Sequence, residues 1–522
     1  MRREYIFAIL ISFAVLLFSN LPIIHFNLFP NDNLVFLNRR LTNSQDVYTY
    51  VSFIEQAKQG KILFENLFSS EPQTSSILRP SYLLIGNFAK IFNVSSIFTY
   101  NLFRILFSLT FCFILYKFLS RFFETEKKRL FAFSLILTSA GLGWLSFFFP
   151  LNSTDLWVPE SITFMSFSEA PHFMLSQTLM LLGFYYFLEF TAKKKLLKLI
   201  YSFIFITFLT LEHPFNVIVI ISSVVVYLLW TGYPRIKTLL IGALFSLGLI
   251  FQFFFAYLNP TLKNWKEASL ASPSPEQYLM GFGLLLIFTI FGIEQAFRNK
   301  DNELKILLTW IFFTAILIYA PLNPQRRFLE GVHIPISLVA VFGIITIFSY
   351  LRKTLKENAG FILPKIAGFL IIILSLSSFF SIFRDFQTIA KDNPKDYYYY
   401  LNPSEPEAMD LIKKRTNSND VILSNWFYGN LIPGLTGRKV YVGHKYQTFE
   451  FDNKVNKINS FLLEKNDKTA LSFLQSNKIS YIFLGVNDSM LKYGFKPDKK
   501  PYLQKVYAKN GVFVYKVKSI LN

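Results

Sequence analysis

The sequence predicts an α-helical polytopic membrane protein of about eleven transmembrane helices, followed by a small α/β domain outside the membrane. Three observations carry this. Apolar segments of about 18–23 residues recur from the N-terminus to residue 383, each long enough to cross roughly 30 Å of hydrocarbon. Lys and Arg crowd into alternate connecting loops, as membrane orientation requires. From about residue 384 the long apolar runs give way to short alternating ones separated by polar turns.

Arg2 and Arg3 precede the first apolar run, which ends at Asn20-Leu21-Pro22 without an Ala-x-Ala site. This pattern predicts an uncleaved signal anchor with a cytoplasmic N-terminus. Further spans are expected near 97–119, 129–149, 171–190, 196–211, 215–231, 236–258, 277–297, 304–321, 333–351 and 361–383, the first lying near 5–22. The segment 78–92 is apolar but short and holds Arg79, Asn87 and Lys90. With that segment not crossing, the inside loops contain Lys117, Arg121, Lys127, Lys128 and Arg129, then Lys193, Lys194, Lys195 and Lys198, then Arg235 and Lys237. Arg298, Lys300 and Lys305 follow, and Arg352, Lys353, Lys356 and Lys365 complete the set. The short outside loops 150–170, 212–214, 259–276 and 322–332 then hold only Lys263, Lys266, Arg326 and Arg327. A crossing at 78–92 would reverse every later loop and break the positive-inside pattern, so this segment is read as interfacial or re-entrant. No pair of Gly- or Pro-broken spans stands out.

The first external loop, 23–96, has interfacial helices in this reading and belongs to a transmembrane domain of residues 1–383. Thr42, Asn43 and Ser44 offer N-cap oxygens for a helix running to about Gln59, and Gly60 stands where a left-handed C-cap belongs. Val47, Tyr50, Val51, Ile54 and Ala57 form one apolar stripe, while Ser52, Glu55, Gln56 and Gln59 face away. The pattern predicts a helix lying on the membrane surface with Tyr48 and Tyr50 at the interface. Asp46 falls in its first turn, where an acid is also favoured simply by the helix dipole.

The tail, 384–522, is read as a soluble extracytoplasmic domain. Asn393-Pro394-Lys395-Asp396 and Asn402-Pro403 mark the linker, and a helix follows Ser404. Strands are predicted at Val421–Leu423, Lys439–Val442, Tyr481–Leu484, Leu503–Ala508 and Val512–Val517, with helices near 450–464 and 467–477. Asn510-Gly511 is a type I′ hairpin signal. Residues 385–522 hold 21 Lys and Arg against 13 Asp and Glu, a net +8 that fits either a solvated basic surface or an anionic ligand.

The formal charge of +20 does not point to nucleic acid, because the basic residues fall where topology puts them. A single cysteine, Cys112, excludes an internal disulfide and a cysteine-based zinc site. With eleven spans, the unusual polar residues group on the outer side. Asp46, Asp155, Glu160, Glu169, Glu212, Arg326, Arg327 and Glu330 lie there, as do all five histidines: His25, His172, His213, His333 and His444. Arg104 sits about two turns into the second span, where an ionisable residue marks a functional site or a snorkelling anchor. Any chemistry is therefore expected outside.

Several stretches together resemble the GT-C superfamily of polytopic glycosyltransferases, which includes the protein O-mannosyltransferases and the aminoarabinose transferase of lipid A. They are Ser44-Gln45-Asp46-Val47-Tyr48-Thr49-Tyr50, Arg79-Pro80 leading to Leu83-Leu84-Ile85-Gly86, and Asn101-Leu102-Phe103-Arg104. Bacterial members also have segments like Glu212-His213-Pro214, Arg326-Arg327-Phe328-Leu329-Glu330-Gly331 and, in a C-terminal soluble domain, Tyr441-Val442-Gly443-His444. The resemblance is spread over most of the chain. It implies an enzyme of the cell membrane that takes a sugar from a polyprenyl-phosphate donor and passes it, with inversion, to an extracytoplasmic lipid, glycan or protein acceptor.

On this resemblance Asp46 is the general base, Arg326 and Arg327, with Arg104, bind the departing phosphate, and Glu169, His172, Glu212, His213 and Glu330 are acceptor-binding candidates. One departure stands out: Asp46 is followed by Val47, where many members have a second acid. A divalent metal would need ligands from another loop such as 150–170, and no cofactor is assigned. The expected partners are the donor, an acceptor the sequence does not specify, and the lipid bilayer. Two other classes fit the same composition. One is a flippase for a lipid-linked saccharide, expected to have inverted repeats and interrupted helices. The other is a non-catalytic cell-envelope assembly protein.

Overall fold

The computed structural model describes residues 3–30, 33–76, 79–258, 270–298, 302–392, 398–486, 488, 490 and 494–518. Lys263, Lys266, Lys300 and linker residues 393–396 lie outside the described residues, as does the Arg298 side chain. The chain forms two compact units, Met1–Pro22 with Leu102–Phe386, and Ile23–Asn101 with Gln387–Asn522. The sequence divides the chain at 383/384 instead and leaves the first loop with the membrane helices. The physical reason for the difference lies in the packing of that loop, described below.

The first unit is a bundle of apolar helices, with two helices in place of one at the expected spans 277–297 and 361–383. The runs Ser96–Leu119, Glu126–Phe147, Pro171–Lys193 and Arg235–Phe255 and the stretch Gln325–Ala390 are each long and apolar enough to cross a membrane. That last stretch contains three helices, His333–Leu355, Ala359–Leu374 and Leu376–Ala390. Leu196–Glu212 and Pro214–Trp230, with 17 residues each, reach about 25 Å, slightly short of the hydrocarbon thickness.

Two helices are interrupted, contrary to the sequence reading. The first breaks after Ser19, and Pro275–Phe282 bends by 83° into the following helix at Gly283. The φ of +48° at Gly283 needs a residue without Cβ. Helices Leu284–Arg298 and His333–Leu355 pack backbone to backbone. A Cβ at Gly292 would lie 2.0 Å from the Val339 carbonyl, and one at Gly343 the same distance from that of Phe288. Small residues at the crossing are how apolar helices gain contact inside a membrane, where burial alone offers no driving force.

The second unit is built on a five-stranded sheet. Its strand order is Lys439–Val440, Val421–Leu423, Ile479–Leu484, Val512–Val517, Leu503–Lys509. The first three run parallel, and Val512–Val517 runs antiparallel to both of its neighbours. Lys509 pairs with Val512 across Asn510 and Gly511, whose φ values of 47° and 79° make the expected type I′ turn.

The sheet is covered on both faces. Val421, Leu423, Ile482 and Leu484 pack with helices Phe451–Leu463 and Asp467–Ser476. Ile422, Tyr481, Phe483 and Val514 pack with helices Ser404–Arg415 and Trp426–Thr436, the latter not anticipated from the sequence. Tyr48 and Leu37, from the first loop, are part of this second core. Val35–Phe36 also pairs antiparallel with Tyr400–Leu401. The loop is thus structurally part of the tail domain.

Helix Asp46–Lys58 is the hub of this unit, and the structure corrects its placement. Residues 48–57 are all buried, polar face included, rather than lying on a membrane surface. The polar side chains that looked solvent-facing have internal partners. Glu55 accepts from Lys413 Nζ (2.6 Å) and Ser96 Oγ (2.6 Å), and Gln56 exchanges bonds with the backbone of Glu65 (3.0 Å each). Gly60, at φ +94°, closes the helix as expected. The N-terminus differs: the cap residue is Gln45, and no side-chain oxygen caps it. The segment at 78–92 is an 11-residue helix, Ser81–Ile91, about 16 Å long and packed against Asp46–Lys58 at Gly86.

Candidate functional site

Asp46 is the first residue of its helix, its amide bonded to the Asn43 carbonyl at 2.9 Å. Its Oδ1 lies 2.8 Å from Nε2 of His444, in the turn after the Lys439–Val440 strand. The Tyr446 amide donates to Nδ1 of the same imidazole at 3.1 Å. In a neutral ring the proton therefore sits on Nε2, and His444 donates to the carboxylate. Asp46 keeps 32% of its side chain exposed, whereas His444 keeps 3%.

The turn before Asp46 is fastened by the same unit. Ser44 Oγ lies 2.7 Å from Tyr398 Oη, and Asn430 Nδ2 donates to the Gln45 carbonyl at 3.2 Å. Asn430 Oδ1 accepts from Arg39 Nη2 at 2.5 Å. Arg39 also donates to the Tyr398 carbonyl at 3.1 Å and lies over the rings of Tyr48, Tyr398 and Phe427 at 5.0–5.5 Å. Burial lowers the pKa of this guanidinium and raises that of the Tyr48 hydroxyl. Arg39, Tyr398 and Asn430 are absent from the sequence reading. The local signals for them were the Arg39-Arg40 pair just ahead of the helix and the tyrosine run 397–400.

Arg326 and Arg327 belong to the membrane unit, in a short 3₁₀ turn. Both guanidiniums share one oxygen of Glu160, Arg327 Nη1 at 3.1 Å and Arg326 Nη2 at 3.4 Å. Glu160 is fully buried, its other oxygen has no hydrogen-bond partner, and Arg326 Nε is likewise a buried donor without one. Arg326 lies over the Trp157 ring and Arg327 over Phe173, each at 5.7 Å. The sequence groups Glu160 with both arginines on the outer side but assigns it no role and does not pair it with them.

The remaining candidates separate into two places in this unit. Glu330 binds His213 Nδ1 through one oxygen and Ser176 Oγ through the other, and His172 packs on His213 with ring centroids 4.8 Å apart. Glu169, His172, Glu212, His213 and Glu330 are all buried. Arg104 is buried too, donating to Asn20 Oδ1 at 2.7 Å and the Ser168 carbonyl at 3.3 Å, and does not snorkel. Asp155 is held by the Gly141 and Gly143 amides (2.9 and 3.1 Å) and Ser153, with burial raising its pKa. It serves as an internal cap for this loop. Among the described residues, no three His, Cys, Asp or Glu side chains gather in a metal-holding group.

The helical bundle and the sheet domain together define a polytopic membrane protein of the GT-C fold. The chain is similar to ArnT from Cupriavidus metallidurans bound to undecaprenyl phosphate: 12% identity, 99% of this chain and 98% of that one, TM-score 0.55. It is also similar to the oligosaccharyltransferase AglB from Archaeoglobus fulgidus in complex with an inhibitory peptide and a dolichol-phosphate. There the identity is 14%, over 97% of this chain and 74% of that one, with a TM-score of 0.54. No protein-family model and no curated protein sequence matches the chain.

Proposed function

We propose that the protein is a membrane glycosyltransferase that moves a sugar from a polyprenyl-phosphate donor to an acceptor outside the cytoplasm, with inversion. The observation that carries this reading is Asp46, a partly exposed carboxylate held at the head of a buried helix in a chain of GT-C fold. Asp46 takes the proton of an acceptor hydroxyl as that oxygen attacks C1 of the sugar. The new C1–O bond forms, the bond from C1 to the phosphate oxygen breaks, and the electron pair leaves with the polyprenyl phosphate. Arg326 and Arg327, with the buried and unpartnered Arg326 Nε–H, supply donors for that phosphate. The bound undecaprenyl and dolichol phosphates of the two similar structures support such a leaving group. Asp46 has an imidazole donor and no second acid beside it in sequence, so no step is assigned to a metal. The N-terminus is cytoplasmic and the tail domain outside, the orientation that the Lys and Arg distribution favours.

The test is transfer from a panel of radiolabelled polyprenyl-phosphate sugars in membranes, wild type against Asp46→Asn. The reading expects a loss of at least ~100-fold in the variant. Undiminished transfer by Asp46→Asn removes the base assignment, and no transfer from any donor by the wild type removes the enzyme reading. The two interrupted helices favour a second reading, a flippase for a lipid-linked saccharide. Vesicle assays that give lipid movement without transfer would select it.

A further inference from the structure

We infer that the tail domain is a positioning element for Asp46, acting through His444; the inference rests on Asp46 being the base proposed above. Three consecutive residues, Ser44, Gln45 and Asp46, are each bonded to the tail: to Tyr398, Asn430 and His444. The last of these is separated from its partner by 398 residues. The helix that starts at Asp46 has no side-chain cap.

Within the Asp46–His444 pair the roles are decided by exposure and by the second nitrogen. His444 is buried, and its Nδ1 is occupied by the Tyr446 amide while its Nε2–H is spent on Asp46. It has neither surface nor a lone pair to offer a substrate hydroxyl. Asp46 has the surface. His444 therefore orients the carboxylate, and Asp46 receives the proton. A carboxylate on two rotatable bonds loses reactive geometry without such a tie, and misplacement by about 1 Å costs on the order of 100-fold.

The imidazole's two nitrogens allow a discriminating test in the full-length protein. In His444→Gln the side-chain amide reaches the Nε2 position and donates to Asp46. In His444→Asn it reaches only the Nδ1 position, meeting the Tyr446 amide but not Asp46. With a polyprenyl-phosphate hexose as donor, His444→Asn is expected to lose roughly 10- to 100-fold in kcat with KM for the donor within about twofold. His444→Gln should stay within about fivefold of wild type, and both should unfold at the wild-type temperature. Equal kcat for the two variants overturns the positioning role. If Asp46→Asn is inactive in the same assay, that result leaves the proposed function standing. Full activity of Asp46→Asn overturns the function and the positioning role together.

Discussion

Alanine at position 86 is expected to unseat the helix that bears Asp46. Gly86 faces the Asp46–Lys58 helix so closely that a Cβ there would lie 2.3 Å from Ala57 Cβ and 2.7 Å from the Ile54 carbonyl oxygen. Carbon atoms rest about 3.5–4.0 Å apart, so the helices must separate by more than 1 Å at this point. Neither alanine has a rotamer to yield. Such overpacking costs about 1–3 kcal/mol, and the better helix propensity of Ala returns up to about 1. A net loss of about 1–2 kcal/mol lowers the unfolding midpoint of this unit by about 2–8 °C. The strain enters 11 residues from Asp46, about 16 Å along a rigid helix, so sugar transfer should fall at least tenfold as well. Thermal unfolding in detergent, followed by transfer from a polyprenyl-phosphate hexose, reads both quantities. Gly368→Ala is the control, because a Cβ there meets nothing within 4 Å. A Gly86→Ala protein that unfolds and transfers like wild type, or a control damaged equally, would refute the reasoning.

Two other perturbations follow from buried charges. Glu160→Gln leaves two guanidiniums without their shared anion, a loss of about 3–5 kcal/mol for a broken buried pair. Its unfolding midpoint should fall by several degrees and recover in part in the Glu160→Gln/Arg327→Gln double variant; no recovery would mean that charge is not the cause. Asp488, in the tail domain, has its pKa pushed up to about 6 by burial, from an ordinary 3.8. Its contribution to stability is complete below the unfolded value and is lost as pH rises through about 6. Asp488→Asn should therefore gain on wild type between pH 4 and pH 7, by on the order of 3 kcal/mol. A midpoint difference that does not change with pH would contradict this.

Local order was legible along much of the chain. The helix from Asp46 to Lys58 and its Gly60 cap follow from spacing, as do the five tail strands and the Asn510-Gly511 turn, because each is set by periodicity or by one residue's φ preference. The apolar runs foretold helices at every expected span, for hydrocarbon length alone demands them. The short helix Trp426–Thr436 was missed. It contains Gly429, Pro433 and Gly434, which disfavour a helix by propensity, yet Gly434 is where it meets Tyr48 and Gly429 where it meets the Val442 carbonyl.

Of the site, the sequence identified single residues and not their partners. It marked Asp46, Arg326, Arg327 and His444, each an ionisable group in an unusual place. It had no means of joining Asp46 to His444, or Glu160 to residues 166 and 167 positions away, since spacing carries no information across such separations. Nor was the burial of Glu55 and Gln56 legible: polar residues on one helical face look solvated until Lys413 and the Glu65 backbone are brought against them. The sequence by itself determined a multi-span membrane protein with an α/β tail, because the period and length of apolar runs depend only on neighbours along the chain. Only the tertiary structure decided that the first loop folds with that tail and that Asp46 is held there, because a buried polar group is stable only where distant segments supply its hydrogen bonds.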